Sequence, residues 1–470
     1  MQSPIGFTCK PLLKLSLLLG LLAVPALADT SSYKNQAVEL LRELVSYRTA
    51  QGHGQVPVMA ELLRQKFLEA GFNEKDVHLI PLEPETASLV VRYKGDGSGG
   101  RPILLMAHMD VVEALKKDWE NDPFTMLEKE GRLYGRGVSD NKAGVATLTN
   151  TFLRLKREGF LPTRDLIIAF SGDEETGMQT IKQLTTRYFH LVDAEFALNA
   201  DSGGGVMDED GKPISYNLQA AEKSYMTFKL TVRNPGGHSS VPRADNAIYE
   251  LAAGLGKLQA FEFPVRSNAV TREYFNAISD SYEGEIATAM LQFSKNPNNS
   301  KATAVLSTYP ELAAMLHTTC VATMLEAGHA ENALPQSASA TVNCRVFPGV
   351  SVAQIKARLT DIMRVSNLEI EVLGDATASP DSPVIPQVLD TVRRSLQVYY
   401  PDIPVVVQMA PYATDGKHTR AAGIPTYGVS GVFYDPEGGF EHGLNERVNK
   451  AAYLVFQDYW YDLLKRFAGN

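Results

Sequence analysis

The sequence predicts an α/β fold: a mostly parallel sheet with helices on both faces, interrupted by an inserted α+β domain. Three observations predict it. Apolar strand-like runs alternate with helix-spaced segments through the first half. Near Ser224 the pattern changes to alternating strands of antiparallel type. After Pro348 a helical segment opens a return to strand–helix alternation. The expected division is 1–28 leader, 29–221 first part of the α/β domain, 222–348 inserted α+β domain, and 349–470 second part.

Residues 1–28 have the form of an export signal. Lys10 and Lys14 precede the apolar run Leu15–Val24, and Ala26-Leu27-Ala28 is a small-residue cleavage pattern. The run is about half the roughly 20 residues a spanning helix needs. The expectation is a secreted or periplasmic chain starting near Asp29, with no stable membrane insertion after cleavage; an uncleaved anchor is the alternative. The formal charge is −9, and the leader holds two lysines and no acid, so the remainder is more acidic still. No broad basic surface can be built, which excludes a nucleic-acid partner. Cys9 leaves with the leader. Cys320 and Cys344 read as two buried thiols, with a bond between them as the alternative in an exported protein.

In chain order, Ala37–Leu44 and Val58–Leu68 have helical apolar spacing, and Ser88–Tyr93 and Ile103–Met106 read as strands. Lys142–Lys156 is a helix, Asp165–Phe170 a buried strand, Ile181–Tyr188 a helix and Glu195–Leu198 a strand. In the inserted domain, the strand Tyr225–Val232 is followed by a Gly-Gly loop and a helix from Asn246. A polar stretch around Asn296–Ser300 precedes an antiparallel pair, Thr318–Leu325 and Ser337–Val346, and Ser351–Val365 is helical.

Several strands end in groups that carry chemistry. Ile103–Met106 runs on to Ala107-His108-Met109-Asp110, so a His and an Asp two apart project from one face. The C-terminal edge of a parallel sheet is where ligands usually bind. Asp140 follows a Gly135-Arg136-Gly137 turn and precedes a helix, where an N-cap is the commoner role for an Asp. A buried strand delivers Asp173-Glu174-Glu175 into one loop. Adjacent charges repel unless cations or protons offset them, though solvated acidic turns are common. Asp201 ends another strand, and His442 lies just before the final helix.

Together His108, Asp140, Glu175, Asp201 and His442 offer two imidazoles and three carboxylates, a set suited to zinc, with manganese or cobalt also fitting. If Asp140 bridges, each metal receives one His, one terminal carboxylate and a shared oxygen, leaving Glu174 free as a base. His53, His78, His190 and His317 have no such context, and His329 and His418 lie near the motifs without a role.

At these residues the sequence resembles the co-catalytic zinc peptidase family of glutamate carboxypeptidase, acetylornithine deacetylase, succinyl-diaminopimelate desuccinylase, aminoacylase and carnosine dipeptidase. The matching motifs are His108-Met109-Asp110, Gly135–Lys142, Gly172–Glu175 and Glu441-His442-Gly443. The resemblance implies two Zn²⁺ per subunit: His108 and Asp201 on one, Glu175 and His442 on the other, Asp140 between them. Asp110 would orient His108, Glu174 would be the general base, and the Asp140–Asn141 peptide would be cis. The insert matches the family's lid, with His238 polarising the scissile carbonyl, from the neighbouring subunit in homodimeric members. Asn332 and Arg345 match substrate-binding lid residues, the arginine pairing with a free carboxylate. Asp201, where carboxypeptidases and deacylases of the family usually carry Glu and aminopeptidases and dipeptidases carry Asp, leans the reading to a dipeptidase or short-peptide exopeptidase. The alternatives are a deacylase of N-acyl amino acids, or a non-catalytic peptide-binding protein with a vestigial site.

Overall fold

The computed structural model describes residues 30–82 and 85–469, so the leader and its cleavage pattern lie outside the described residues. Among the described residues no helix is long and apolar enough to cross a membrane.

The main sheet runs in the spatial order Val77–Leu82, Thr86–Tyr93, Leu166–Ser171, Ile103–His108, Phe196–Asn199, Thr426–Gly428, Pro213–Glu222, Gly204–Met207, Phe433–Tyr434. Val405–Ala410 also pairs with Pro213–Glu222. The central strands 166–171, 103–108, 196–199 and 426–428 are parallel to one another. Antiparallel strands flank them on both sides.

Ile103–His108 and Leu166–Ser171 are buried along their whole length, as strands covered on both faces must be. Their side chains alternate between two cores. Ile103, Leu105, Ile168 and Phe170 join a core with Leu41, Leu148 and Trp460, from the helices Thr30–Val45, Lys142–Arg157 and Lys450–Ala468. Leu104, Met106, Ile167 and Ala169 face the other, closed by Ile181 and Leu184 of the helix Gln179–Thr186. Register then sets the site. His108 lies opposite Ser171 and Met106 opposite Asn199, so three loops leave one edge of the sheet together.

The lid is an antiparallel sheet in the order Thr319–Ala327, Ser337–Val346, Ser224–Arg233, Leu368–Leu373. Its expected end at 348 is too early. Leu368–Leu373 pairs with Ser224–Arg233, so this strand and the helix Val352–Met363 before it belong to the lid. Helical periodicity after Pro348 reads the same whichever sheet the helix serves; only the strand pairing assigns it. The polar stretch around Asn296 lies within a group of short helices: Ala269–Ile278, Gly284–Lys295, Ser300–Ser307 and Pro310–Leu316. They bury Phe275, Met290, Phe293 and Leu306 in a small core of their own, and Asn299 caps the third of them.

The reading of Cys320 and Cys344 as separate thiols is corrected: they are joined in a disulfide. They sit directly opposite one another on neighbouring strands, where cross-strand side chains meet.

Candidate metal centre

Each expected group sits on a loop at the edge where the central strands end. His108 closes its strand, and its Nδ1 lies 3.0 Å from the Asp110 backbone carbonyl and 3.5 Å from the Asp110 carboxylate. That carboxylate also accepts the backbone N–H groups of Glu174 (3.1 Å) and Glu175 (3.0 Å). Asp110 thus ties the acidic loop to the imidazole. Of the three consecutive acids, Asp173 turns away to accept N–H bonds from Gln179 (2.7 Å) and Thr180 (2.9 Å), starting the next helix. Glu174 and Glu175 face the cleft.

Asp140 is not the helix cap that its position suggests. Asn141 occupies the cap position, the Asp140–Asn141 peptide is cis, and the Asp140 carboxylate lies between two imidazoles. Its Oδ1 is 2.8 Å from His108 Nε2, and its Oδ2 is 3.2 Å from His442 Nε2. Asp201 Oδ1 is 3.3 Å from the same His108 nitrogen and accepts a 2.6 Å bond from Asn141. Glu175 Oε2 is 3.0 Å from His442 Nε2. Three groupings with metal-ligand spacing result: His108–Asp140–Asp201 and Asp140–Glu175–His442, which share Asp140, and His108–Glu174–Glu175.

The electrostatics show what such convergence costs. Burial pushes Glu174 well above the ordinary carboxylate range and raises Glu175 and Asp201 as well. Burial also works against ionised Asp140, but hydrogen bonds from His108 and His442 outweigh it and hold that carboxyl low. In turn, bonds to Asp140 and Glu175 push His442 up to about 10. Burial opposes a charge on His108, yet Asp201 and the neighbouring carboxylates raise it well above 6.5. The imidazoles hold protons where a cation fits. Without those protons, three carboxylates and two nitrogen lone pairs converge with nothing to offset them, and this donor set fits a pair of divalent ions.

Several residues that sequence reasoning passed over hold the site in place. Glu446 is fully buried and accepts N–H bonds from Gly137 (2.9 Å), Ser139 (2.8 Å) and Asp140 (3.0 Å), with Arg136 Nη1 at 2.6 Å. Gly137 has φ +89°, and a Cβ there would stand 2.9 Å from Lys142 Cδ. The only signal for Glu446 was its place next to the His442 motif.

A cleft of about 990 Å³ opens between this edge and the lid. Arg345 lines it, with its guanidinium 4.7 Å from the Tyr225 ring centre and donating to the Pro411 carbonyl at 3.4 Å. Tyr412 and Tyr434 line it too, and neither stood out in the sequence. The structure does not bring His238 and Asn332 into this cleft. They are neighbours on an exposed ribbon, Gly237–His238 against Ala333–Leu334, where Ser239 N–H donates to the Asn332 carbonyl at 3.1 Å.

A strand-end cluster of this kind beneath a lid fits a metal-dependent hydrolase. Residues 104–466 match the model of peptidase family M20/M25/M40; the chain belongs to that family, whose members are metallo-hydrolases of peptide and amide bonds. The human N-fatty-acyl-amino acid synthase/hydrolase PM20D1 is 28% identical over 395 residues, covering 81% of this chain and 77% of its own. The probable carboxypeptidase S-like 2 of Dictyostelium discoideum is 29% identical, covering 80% and 74%. The fold of the M20 family metallo-carboxypeptidase Sso-CP2 from Sulfolobus solfataricus superposes with a TM-score of 0.68 at 16% identity, covering 92% of this chain and 99% of that one.

Proposed function

We propose that this chain is a two-metal exopeptidase, of dipeptidase or carboxypeptidase type, acting on short peptides that end in a free carboxylate. The observation that carries it is the sharing of Asp140 between His108 and His442, with Glu174 beside them and absent from both groupings that contain Asp140. His108, Asp140 and Asp201 would hold one zinc, and Asp140, Glu175 and His442 the other; manganese or cobalt suits the same donors. When bound, the ions supply Lewis-acid polarisation of the scissile carbonyl and acidify the attacking water. Glu174 would take the proton from that water and return it to the leaving amine. Asp110 fixes both the His108 ring and the main chain of Glu174. Arg345 receives the substrate carboxylate in a charge-assisted pair.

His238 and Asn332 act on the cleft of a second subunit in a lid-to-lid homodimer. The support is an edge strand, Thr319–Ala327, exposed along nearly its whole length, with Val321, Met324 and Leu325 at 58%, 68% and 69% exposure. Bare apolar edges of this kind are ordinarily covered. The leader-like 1–28 segment together with the disulfide supports a secreted or periplasmic location.

The second reading, a deacylase of N-acyl amino acids, is favoured by the likeness to PM20D1 and by the aromatic walls Tyr225, Tyr412 and Tyr434. Both reactions leave a free amino acid. The deciding assay offers metal-loaded protein dipeptides, tripeptides and N-acyl amino acids, each also as the C-terminal amide. Release from the free-carboxylate peptides and not from their amides is the expected result. Release from N-acyl amino acids alone would replace the exopeptidase reading, and inactivity on the whole panel would sink both.

A further inference from the structure

Past the metal-facing groups, the cleft follows the loop after Glu175 to a second polar cluster. Asp375, just beyond the last lid strand, lies 3.0 Å from Lys417 Nζ, 2.9 Å from His418 Nε2 and 3.8 Å from Lys182 Nζ. Thr377 Oγ1 donates to it as well, at 2.7 Å. Burial alone would raise this carboxyl, yet the adjacent His418, Thr377 and Lys417 hold it well below the ordinary range. Asp375, Lys417 and His418 are 11%, 6% and 3% exposed, a locked group in which the Asp375 charge is matched by Lys417.

Lys182 differs from its neighbours. It is 46% exposed, lines the same cleft, and has its one ion pair among the described residues at the long distance of 3.8 Å to a carboxylate already matched. It rises from the helix that starts directly after the Glu174–Glu175 loop, on the wall of the cleft that holds Glu174 and Glu175. Two divalent ions would balance the three ligand carboxylates and Glu174, so the centre would not cancel this field.

We propose that Lys182 is a specificity-determining residue that holds a second anionic group of the substrate, beyond the free carboxylate assigned to Arg345. The preferred substrates are therefore dicarboxylic: peptides or acyl amino acids with an acidic side chain on one side of the scissile bond. The inference deepens the hydrolase reading and rests on it for its kinetic test, whereas its binding test is independent of turnover.

The experiment uses metal-loaded full-length protein and matched pairs, Glu against Gln, placed on either side of the scissile bond of a dipeptide. One of the two positions should show a preference in kcat/KM for the acid on the order of tenfold. Lys182→Met should bring that ratio to about one while the Gln substrate stays within about threefold of wild type, and Lys182→Arg should keep the preference. Lys182→Glu should reverse it. In parallel, calorimetry compares N-acetylglutamate with N-acetylglutamine on the wild type and Lys182→Met. Charge-selective binding lost in Lys182→Met, without cleavage of any peptide, would sustain the subsite and sink the hydrolase reading. A wild type blind to charge by both measurements, or a Lys182→Met variant that keeps the wild-type ratio, overturns the subsite.

Discussion

Replacing Glu446 by Gln should damage the metal centre from a position that touches neither metal nor substrate. The Glu446 side chain is 0% exposed and that of its partner Arg136 2%. One oxygen meets Arg136 at 2.6 Å and the Gly137 N–H at 2.9 Å; the other accepts the Ser139 and Asp140 N–H groups at 2.8 and 3.0 Å. A glutamine can keep its oxygen on Ser139 and Asp140, but it turns an NH₂ toward a guanidinium and a backbone donor. Leaving one member of a buried ion pair uncompensated costs about 3–5 kcal/mol. The unsatisfied Gly137 N–H adds about 1–3 kcal/mol. These terms overlap, so about 3 kcal/mol is a lower expectation, equivalent to a fall in Tm of roughly 5 °C for a domain of about 300 residues. Because Glu446 fixes the main chain of Asp140, metal affinity should also fall, by about 10–100-fold as for other supports of metal ligands. Thermal melts with and without metal, together with competition against a chelator, measure both effects. A Tm change under about 2 °C with unaltered metal affinity would refute the assigned role. The pair Arg136→Met with Glu446→Leu separates the causes. Removing both charges should recover only part of the loss, since three backbone donors still lack an acceptor.

Glu174→Gln should cut turnover by at least about 10²–10⁴ and keep both metals; loss of one equivalent would show that Glu174 and Glu175 have exchanged roles. Asp140→Ala should lose most of both metals, measured by elemental analysis after gel filtration, and two tightly retained ions would rule out the bridge. Mixing inactive His238→Ala subunits with inactive Glu174→Gln subunits should restore up to about a quarter of wild-type activity if the lid acts across a twofold dimer. A monomer in solution, or no recovery despite subunit exchange, would end that arrangement. In metal-free protein His442 is held at about 10, so it carries a proton at neutral pH and metal loading should release it. Since the folded pKa of His442 lies above its unfolded value of 6.5, its stabilisation is full below 6.5 and is lost as pH rises to about 10. Metal-free Tm should fall across that window while metal-loaded Tm holds; parallel profiles would contradict it.

The convergence of His108, Asp140, Glu175, Asp201 and His442 was legible because each closes an apolar run or a glycine turn, and strand ends of a parallel sheet face one way. Their supports were not legible, for a physical reason. Glu446 and Arg136 are 310 positions apart, and each alone is an ordinary charged residue beside a motif. Asp375, Lys417 and His418 meet only because the lid returns after its fourth strand, which the apparent boundary at 348 concealed. Cys320 and Cys344 depend on a register that spacing along the chain does not carry. The three consecutive acids show the division most clearly. The local sequence supplies three equal charges. The fold then sends Asp173 to the next helix, Glu175 to His442, and leaves Glu174 hung from Asp110 by its backbone. The roles are assigned by long-range contacts, and for that reason a change at Glu446, which only holds a main chain, is expected to be felt at Asp140.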